Sequence, residues 1–227
     1  MRKALRSEGM VAHPLKTRAP YLRGYEFAPD VVIDVGVARG TSWLYRCFPE
    51  AQFVLVDPQP GCADAVRRKA VLAEFHFHAV AAGDKHETAK LTLPYTDRGL
   101  DMALASTKLR VDDSDRGFKR LEHLEVETKP LDDIAVGYPG RVGLSIDTEG
   151  SELEVLIGAE KTLTRCDFVV LKLPVTPRFD GAGIPSEAVS RLAVAGLEMR
   201  DVISMGAGHG KQARPRYLNM LFARWPA

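Results

Sequence analysis

Four apolar runs in this chain each end on a charged residue. Val31-Val32-Ile33 leads to Asp34, Phe53-Val54-Leu55-Val56 to Asp57, Val142-Gly143-Leu144-Ser145-Ile146 to Asp147, and Phe168-Val169-Val170-Leu171 to Lys172. Carboxylates at the ends of buried strands can accept from hydroxyls, face cations or take up a proton. After the first acid comes a turn, Gly36-x-x-x-Gly40, that opens a helical stretch from Thr41 to Phe48. A glycine-bearing turn between a buried strand and a helix is where an α/β sheet receives an adenosine-bearing cofactor. Asp57 follows at about the 20-residue offset at which an acid grips ribose hydroxyls.

The turn lacks the closely spaced first two glycines of G-x-G-x-x-G, which let backbone press on a pyrophosphate, so a dinucleotide fits poorly. S-adenosylmethionine fits better. It has no phosphates, its carboxylate can take backbone N–H groups at the start of the next helix, and its ammonium can face Asp34 directly or through water. Asp57 would accept from both ribose hydroxyls. Asp34, Gly36, Arg39, Gly40, Asp57, Ala81 and Asp147 form the expected cofactor set. The structural alternative is that Gly36 and Gly40 merely ease a tight turn and Asp57 caps a helix.

These residues need a sheet to bring them together. With 227 residues and 45% hydrophobic content, the chain can bury one sizeable core. A basic arm over residues 1–23, interrupted by Pro14 and Pro20, precedes one domain over residues 24–227. Apolar runs alternating with helical patterns imply a mostly parallel sheet covered on both faces. Strands are expected at Val31–Val35, Phe53–Val56, Glu74–Ala81, Val142–Ile146, Phe168–Leu171, Met199–Ile203 and Leu218–Phe222, the last two as an antiparallel edge hairpin. Helices are expected at Ser42–Cys47, Ala63–Leu72 and Glu152–Leu163, the last with an inward stripe of Leu153, Leu156, Ile157 and Leu163. Another should span Ser186–Ala195, with Ser186 as N-cap. Between Gly83 and Pro130 the rhythm changes. Ala89–Leu93 and Leu124–Thr128 alternate as half-exposed strands around a long polar loop, an antiparallel excursion.

A net charge of +1 offers no broad field for polyanions, so nucleic acid is not an expected partner, while a homo-oligomer is compatible with this composition. Cys47, Cys62 and Cys166 are widely spaced and form no C-x-x-C pair. They read as reduced thiols of a cytoplasmic protein. No apolar run approaches the ~18 residues of a membrane span.

The segment Ile146-Asp147-Thr148-Glu149-Gly150-Ser151-Glu152-Leu153-Glu154-Val155-Leu156-Ile157-Gly158-Ala159 resembles the signature I-D-V-E-G-x-E-x-x-V-L-x-G-A of the FkbM-type S-adenosylmethionine-dependent methyltransferases. Leu131-Asp132-Asp133 resembles that family's Leu-Asp-Asp element and Val32-Ile33-Asp34-Val35-Gly36 its cofactor motif, in the same order over about residues 31–173. The resemblance implies a class I methyltransferase fold: a Rossmann-like, seven-stranded, mostly parallel sheet with helices on both faces. It also implies O-methylation of a hydroxyl on a sugar, glycan or natural-product acceptor. Two positions depart from the family pattern: Ser145 stands where the family usually has Lys, and Lys172 where it usually has Glu. If the two face each other on neighbouring strands, the charge layout of the acceptor cleft is altered.

Methyl transfer from a sulfonium needs collinear oxygen, carbon and sulfur, and a hydroxyl acceptor must also lose a proton. Asp147 and Glu149 are the candidate catalytic bases, on the turn beyond the fourth strand of the parallel sheet. Structurally, Asp147 could instead cap the turn and Glu149 bond the next helix start. His209, in a glycine-rich segment, is another candidate base, although a plain surface loop is the stronger reading. The pair His76 and His78 and the acidic Asp112, Asp113 and Asp115 lack the further ligands a metal site needs, and no metal is expected. Lys172 would be costly to bury without an acid or an anionic substrate group. Two other classes compete: an NAD-dependent oxidoreductase, which should show the missing glycine spacing, and a non-catalytic Rossmann-like binding domain, which would have lost the pocket.

Overall fold

A computed structural model describes Ser7 and residues 14–111, 117–207 and 215–225. Asp112, Asp113, Asp115, His209 and most of the basic arm lie outside the described residues. In chain order the first elements are α1 (Ala19–Arg23), β1 (Val31–Val35), α2 (Ser42–Tyr45), β2 (Gln52–Val56), α3 (Gly61–Lys69) and β3 (His76–His78). An excursion follows, with β4 (Ala81–Gly83), β5 (Glu87–Thr96), β6 (Gly99–Leu100), a 3₁₀ turn at Met102–Leu104 and β7 (Arg120–Pro130). The chain then runs through α4 (Leu131–Ala135), β8 (Val142–Ile146), α5 (Glu152–Ile157), α6 (Glu160–Leu163), β9 (Cys166–Pro174), α7 (Pro185–Val194), β10 (Leu197–Ala207) and β11 (Pro215–Arg224).

Seven strands form one sheet in the order β10-β11-β9-β8-β1-β2-β3, and β4, β7, β5 and β6 form a second. In the first sheet β3, β2, β1, β8 and β9 run parallel, and β11 pairs antiparallel with both β9 and β10. This is the expected seven-stranded arrangement with its edge hairpin. β1 is buried along its whole length because helices cover both faces. On one face Val31, Ile33 and Val35 join Leu131, Leu156 and Leu192, from α4, α5 and α7. On the other, Val32 joins Leu22, Leu44 and Val66, from α1, α2 and α3, so the last turn of the basic arm packs on the sheet. The chain leaves β1 toward β2 on one side and returns as β8 on the other, which makes the β1/β8 boundary the switch point where such sheets open a ligand crevice. No helix among the described residues is long and apolar enough to cross a membrane.

The antiparallel excursion forms as its alternation implied, with Leu91 opposite Leu124 and Ala89 opposite Val126. Three other expectations need correction. The third strand does not run through to Ala81: β3 stops at His78, and Ala81–Gly83 pairs with β7 in the second sheet. Ser186 is not the N-cap of α7, because the fixed φ of Pro185 suits the first helical position and Ile184 takes the cap.

The helix expected over Glu152–Leu163 is two pieces, broken at Gly158. A Cβ there would sit 1.9 Å from the Gly83 carbonyl oxygen and 3.1 Å from Pro130 Cα. The Gly158 carbonyl accepts from Asp132 N at 2.8 Å, and the Asp132 carboxylate caps α6 through Lys161 N at 2.9 Å and Thr162 N at 2.7 Å. The inward stripe also differs from the expected one: Val155 and Leu156 are fully enclosed, while Leu153 and Ile157 are only half-buried. Gly158→Ala therefore drives a methyl into backbone that cannot yield cheaply. A loss of at least about 2 kcal/mol is expected, read as a lowered urea midpoint with an unchanged m-value.

Candidate active site

The turn after β1 folds back on the sheet rim. Gly36 has φ +81°, and a Cβ on it would lie 1.9 Å from the carbonyl oxygen of Asp147 at the end of β8. Glycine is required there for close approach of two strand ends as well as for the turn. Ala38 also adopts a left-handed conformation, with φ +46°, and its N–H donates to Asp57 Oδ2 at 2.9 Å. Asp57 Oδ1 accepts from Gln59 N, also at 2.9 Å. Burial pushes the Asp57 carboxyl above the usual range, and the bonds from Ala38 and Gln59 pull against it.

These residues wall a cavity of about 290 Å³ at the switch point. Gly36, Arg39, Gly40, Asp57, Ala81 and Asp147 all line it. Asp34 does not. The alternation of β1 turns its side chain away with Val32, where Tyr45 Oη donates to Oδ2 at 2.6 Å and the carboxyl is 1% exposed. Asp34 therefore bonds Tyr45 of α2 behind the turn and, unlike the rest of the expected cofactor set, does not line the cavity in which a ligand ammonium was expected to face it directly or through water. A larger groove of about 910 Å³ is lined only by side chains of α5–α7 and their caps, and contains no strand-end residue.

Beyond β8 the chain forms a second left-handed turn, with Glu149 at φ +55° and Gly150 at φ +116°. Glu152, 6% exposed, closes it by accepting from Thr148 N at 3.2 Å and Gly150 N at 3.1 Å. Burial raises the Glu152 carboxyl to about 7 despite the bond from Gly150. Lys172 Nζ donates to Asp147 Oδ1 at 2.8 Å and also to Glu149. Glu149 is 3% exposed, and its other oxygen accepts from Arg178 at 2.7 Å and Arg110 at 3.0 Å. Burial alone would raise this carboxyl, but Lys172 and Arg178 outweigh it and hold it at about 2. With three cations on a buried carboxylate held below its usual range, the surroundings of Glu149 favour an anchor over the base expected from the sequence.

Asp147 differs. Its surroundings raise its pKa and Lys172 opposes them; because 46% of its side chain remains open, that upward push falls short of full desolvation. Ser145 and Lys172 do not stand opposite each other, since Ser145 pairs with Val170 and bonds Asp34. The lysine spends its charge on Asp147 and Glu149. His76 faces Gln52 and His78 faces Tyr138, at 3.0 and 2.9 Å. Among the described residues no three or more metal-ligating acids, histidines or cysteines gather.

Sequence reading passed over Arg110, Arg178 and Gln59. The two arginines lie in polar and Pro/Gly-rich loops with no periodicity, and only the antiparallel bridge between Arg110 and Phe179 brings them to Glu149. The excursion is further pinned by Ser106 Oγ, which donates to the Glu149 carbonyl at 2.7 Å, and by Lys108 on Glu154.

A carboxyl whose folded pKa is depressed contributes stability above its unfolded pKa and loses it as pH falls through the folded value. For Glu149 that window runs from about 4.5 down to about 2. Glu149→Gln leaves three cations facing a neutral amide. It should lose on the order of 3 kcal/mol at pH 7, with a shallower decline of the urea midpoint between pH 5 and 3 than the parent protein.

The family model of the Methyltransferase FkbM domain matches residues 34–206, well over half of the chain. A comparison with curated proteins gives no match. Among solved structures the chain is similar to magnesium protoporphyrin IX methyltransferase from Synechocystis PCC 6803 with bound S-adenosylmethionine, at 9% identity over 91% of this chain and 76% of that one, with a TM-score of 0.48. It is also similar to Aeropyrum pernix fibrillarin, at 11% identity over 97% and 73% of the two chains, TM-score 0.46. A third likeness is to the N-methyltransferase NodS from Bradyrhizobium japonicum WM9, at 10% identity over 91% and 83%, TM-score 0.45. With its signature motifs in register along the rim of a class I methyltransferase sheet, the chain belongs to the FkbM methyltransferase family, whose methyl donor is S-adenosylmethionine.

Proposed function

We propose that this methyltransferase transfers the methyl group to a hydroxyl of a sugar, glycan or other small natural-product acceptor, with Asp147 as the base. The observation that carries the reading is the asymmetry of two neighbouring carboxylates: Glu149 is sealed by three cations, whereas Asp147 opens to the cavity with Lys172 on one oxygen only. The protein's environment pushes their pKa values apart, as expected when one acid exchanges protons and the other holds structure.

The residues fit the donor. Asp57 suits vicinal hydroxyls of a ribose, the turn from Gly36 to Gly40 leaves room for its amino-acid end, and Arg39, exposed on the cavity mouth, supplies a cation for the carboxylate. When bound, S-adenosylmethionine supplies a methyl carbon made electrophilic by the sulfonium. The chain's own task is then mostly alignment, a contribution of about 7–11 kcal/mol when the geometry is good. The wall from Met102 to Thr107 shields the cavity, and Asp147 takes the acceptor proton from the side of β8. Lys172 keeps Asp147 ionised enough to do so and fixes its plane.

Asp147→Asn should lower kcat by about 10²–10⁴-fold while S-adenosylhomocysteine still binds. In the parent enzyme kcat/KM should fall as pH drops through the raised pKa of Asp147. The assay is transfer of a labelled methyl from S-adenosylmethionine to a panel of sugar and natural-product hydroxyls; methylation confined to nitrogen or carbon acceptors would overturn the O-transfer reading. Asp57→Ala should weaken S-adenosylhomocysteine binding by about 10–100-fold, as expected for losing charge-assisted hydrogen bonds. Undiminished affinity by calorimetry would remove the ribose role.

A further inference from the structure

Gln59 is a residue to which neither the signature motifs nor the mechanism gives a task. It lies two positions beyond Asp57, borders the cavity and is 6% exposed. Its side-chain Nε2 donates to the Met102 carbonyl at 3.0 Å and approaches Asp57 Oδ1 at 3.3 Å. Two oxygens on that side fix which way the amide points, because a flipped amide would set its oxygen against both. The other end, Oε1, is enclosed and has no hydrogen-bond partner. A buried acceptor without a donor is rare and calls for a partner that the bare chain does not supply.

The cavity that Gln59 borders has apolar Pro58, Ala82, Leu91, Met102 and Ala103 in its lining, with Pro58 next to Gln59 in the chain and Met102 bonded to it. A flat heteroaromatic base suits such walls, and polar selectivity must then come from few groups. Adenine carries one exocyclic donor, its 6-amino group, once N9 bears the sugar. We propose that Gln59 is a specificity-determining residue whose Oε1 accepts from the 6-amino group of adenine. Its Nε2 ties the occupied base slot to the 3₁₀ turn of the excursion. The inference rests on S-adenosylmethionine occupying this cavity, with its ribose at Asp57.

The test compares S-adenosylhomocysteine with S-inosylhomocysteine, which presents a 6-oxo acceptor in place of the amino donor, by calorimetric titration. The parent protein should bind the adenine compound at least about tenfold tighter, because a site built for a donor rejects an analogue lacking it. Gln59→Met also cuts the Met102 tether and weakens both ligands, but only loss of Oε1 changes their ratio. The ratio should fall to within about threefold in this variant, with Gln59→Leu used if the methionine variant does not fold. A preference that survives substitution overturns the proposal, as does a parent protein that binds both compounds within threefold. If neither compound binds the parent protein, the cavity assignment itself falls and the role of Gln59 with it.

Discussion

Three cations from three separate stretches of chain converge on the carboxylate of Glu149: Lys172 from the end of β9, Arg178 from the loop beyond it, and Arg110 from the excursion. One uncompensated charge at 3% exposure would be costly to bury, and so would each cation alone. Together they lock the excursion, the 174–185 loop and the β8 turn into one geometry. Arg110 and Arg178 also pack against the Phe179 ring, at 4.6 and 5.1 Å from its centroid, and that ring fills the space left by Gly150. Such a network gains little net stability over an apolar equivalent, but it specifies a single arrangement. The cavity wall is that arrangement.

The signature motif therefore divides its labour. Asp147 faces the cavity, Glu149 anchors the loops, Glu152 closes the turn through backbone N–H groups, Val155 and Leu156 fill the core, and Gly158 lets α5 touch the second sheet. The Leu-Asp-Asp element is architectural in the same sense: Leu131 is enclosed, and Asp132 caps α6 while its own N–H meets the Gly158 carbonyl. In this chain most of the signature segment serves the geometry around one open carboxylate.

Two of the four left-handed non-glycine residues among those described lie at the same rim: Ala38, two positions from the left-handed Gly36 and Gly40, and Glu149, next to the left-handed Gly150. Such backbone costs of order 1–3 kcal/mol per residue and persists only when its surroundings over-determine it. Here Asp57 holds Ala38 and the three cations hold Glu149.

The succession of strands along the chain, the glycine turn, Asp57 and Asp147 at strand ends, and the antiparallel excursion were legible in the residues, because period-two and period-3.6 patterns and turn chemistry are local. Side-chain partnership is not. Asp34 and Asp57 end similar runs, yet the pleat sends one toward Tyr45 and the other toward the cavity. Whether Glu149 was a base or an anchor depended on arginines 39 residues before it and 29 after it. No local pattern announces those contacts, since loops carry no period and burial of a charge is decided by what the fold brings to it. Sequence alone determined which backbone ends could meet at the rim; only the tertiary structure decided which carboxylate stays open, because a proton's free energy depends on the charges and solvent that the folded chain places around it.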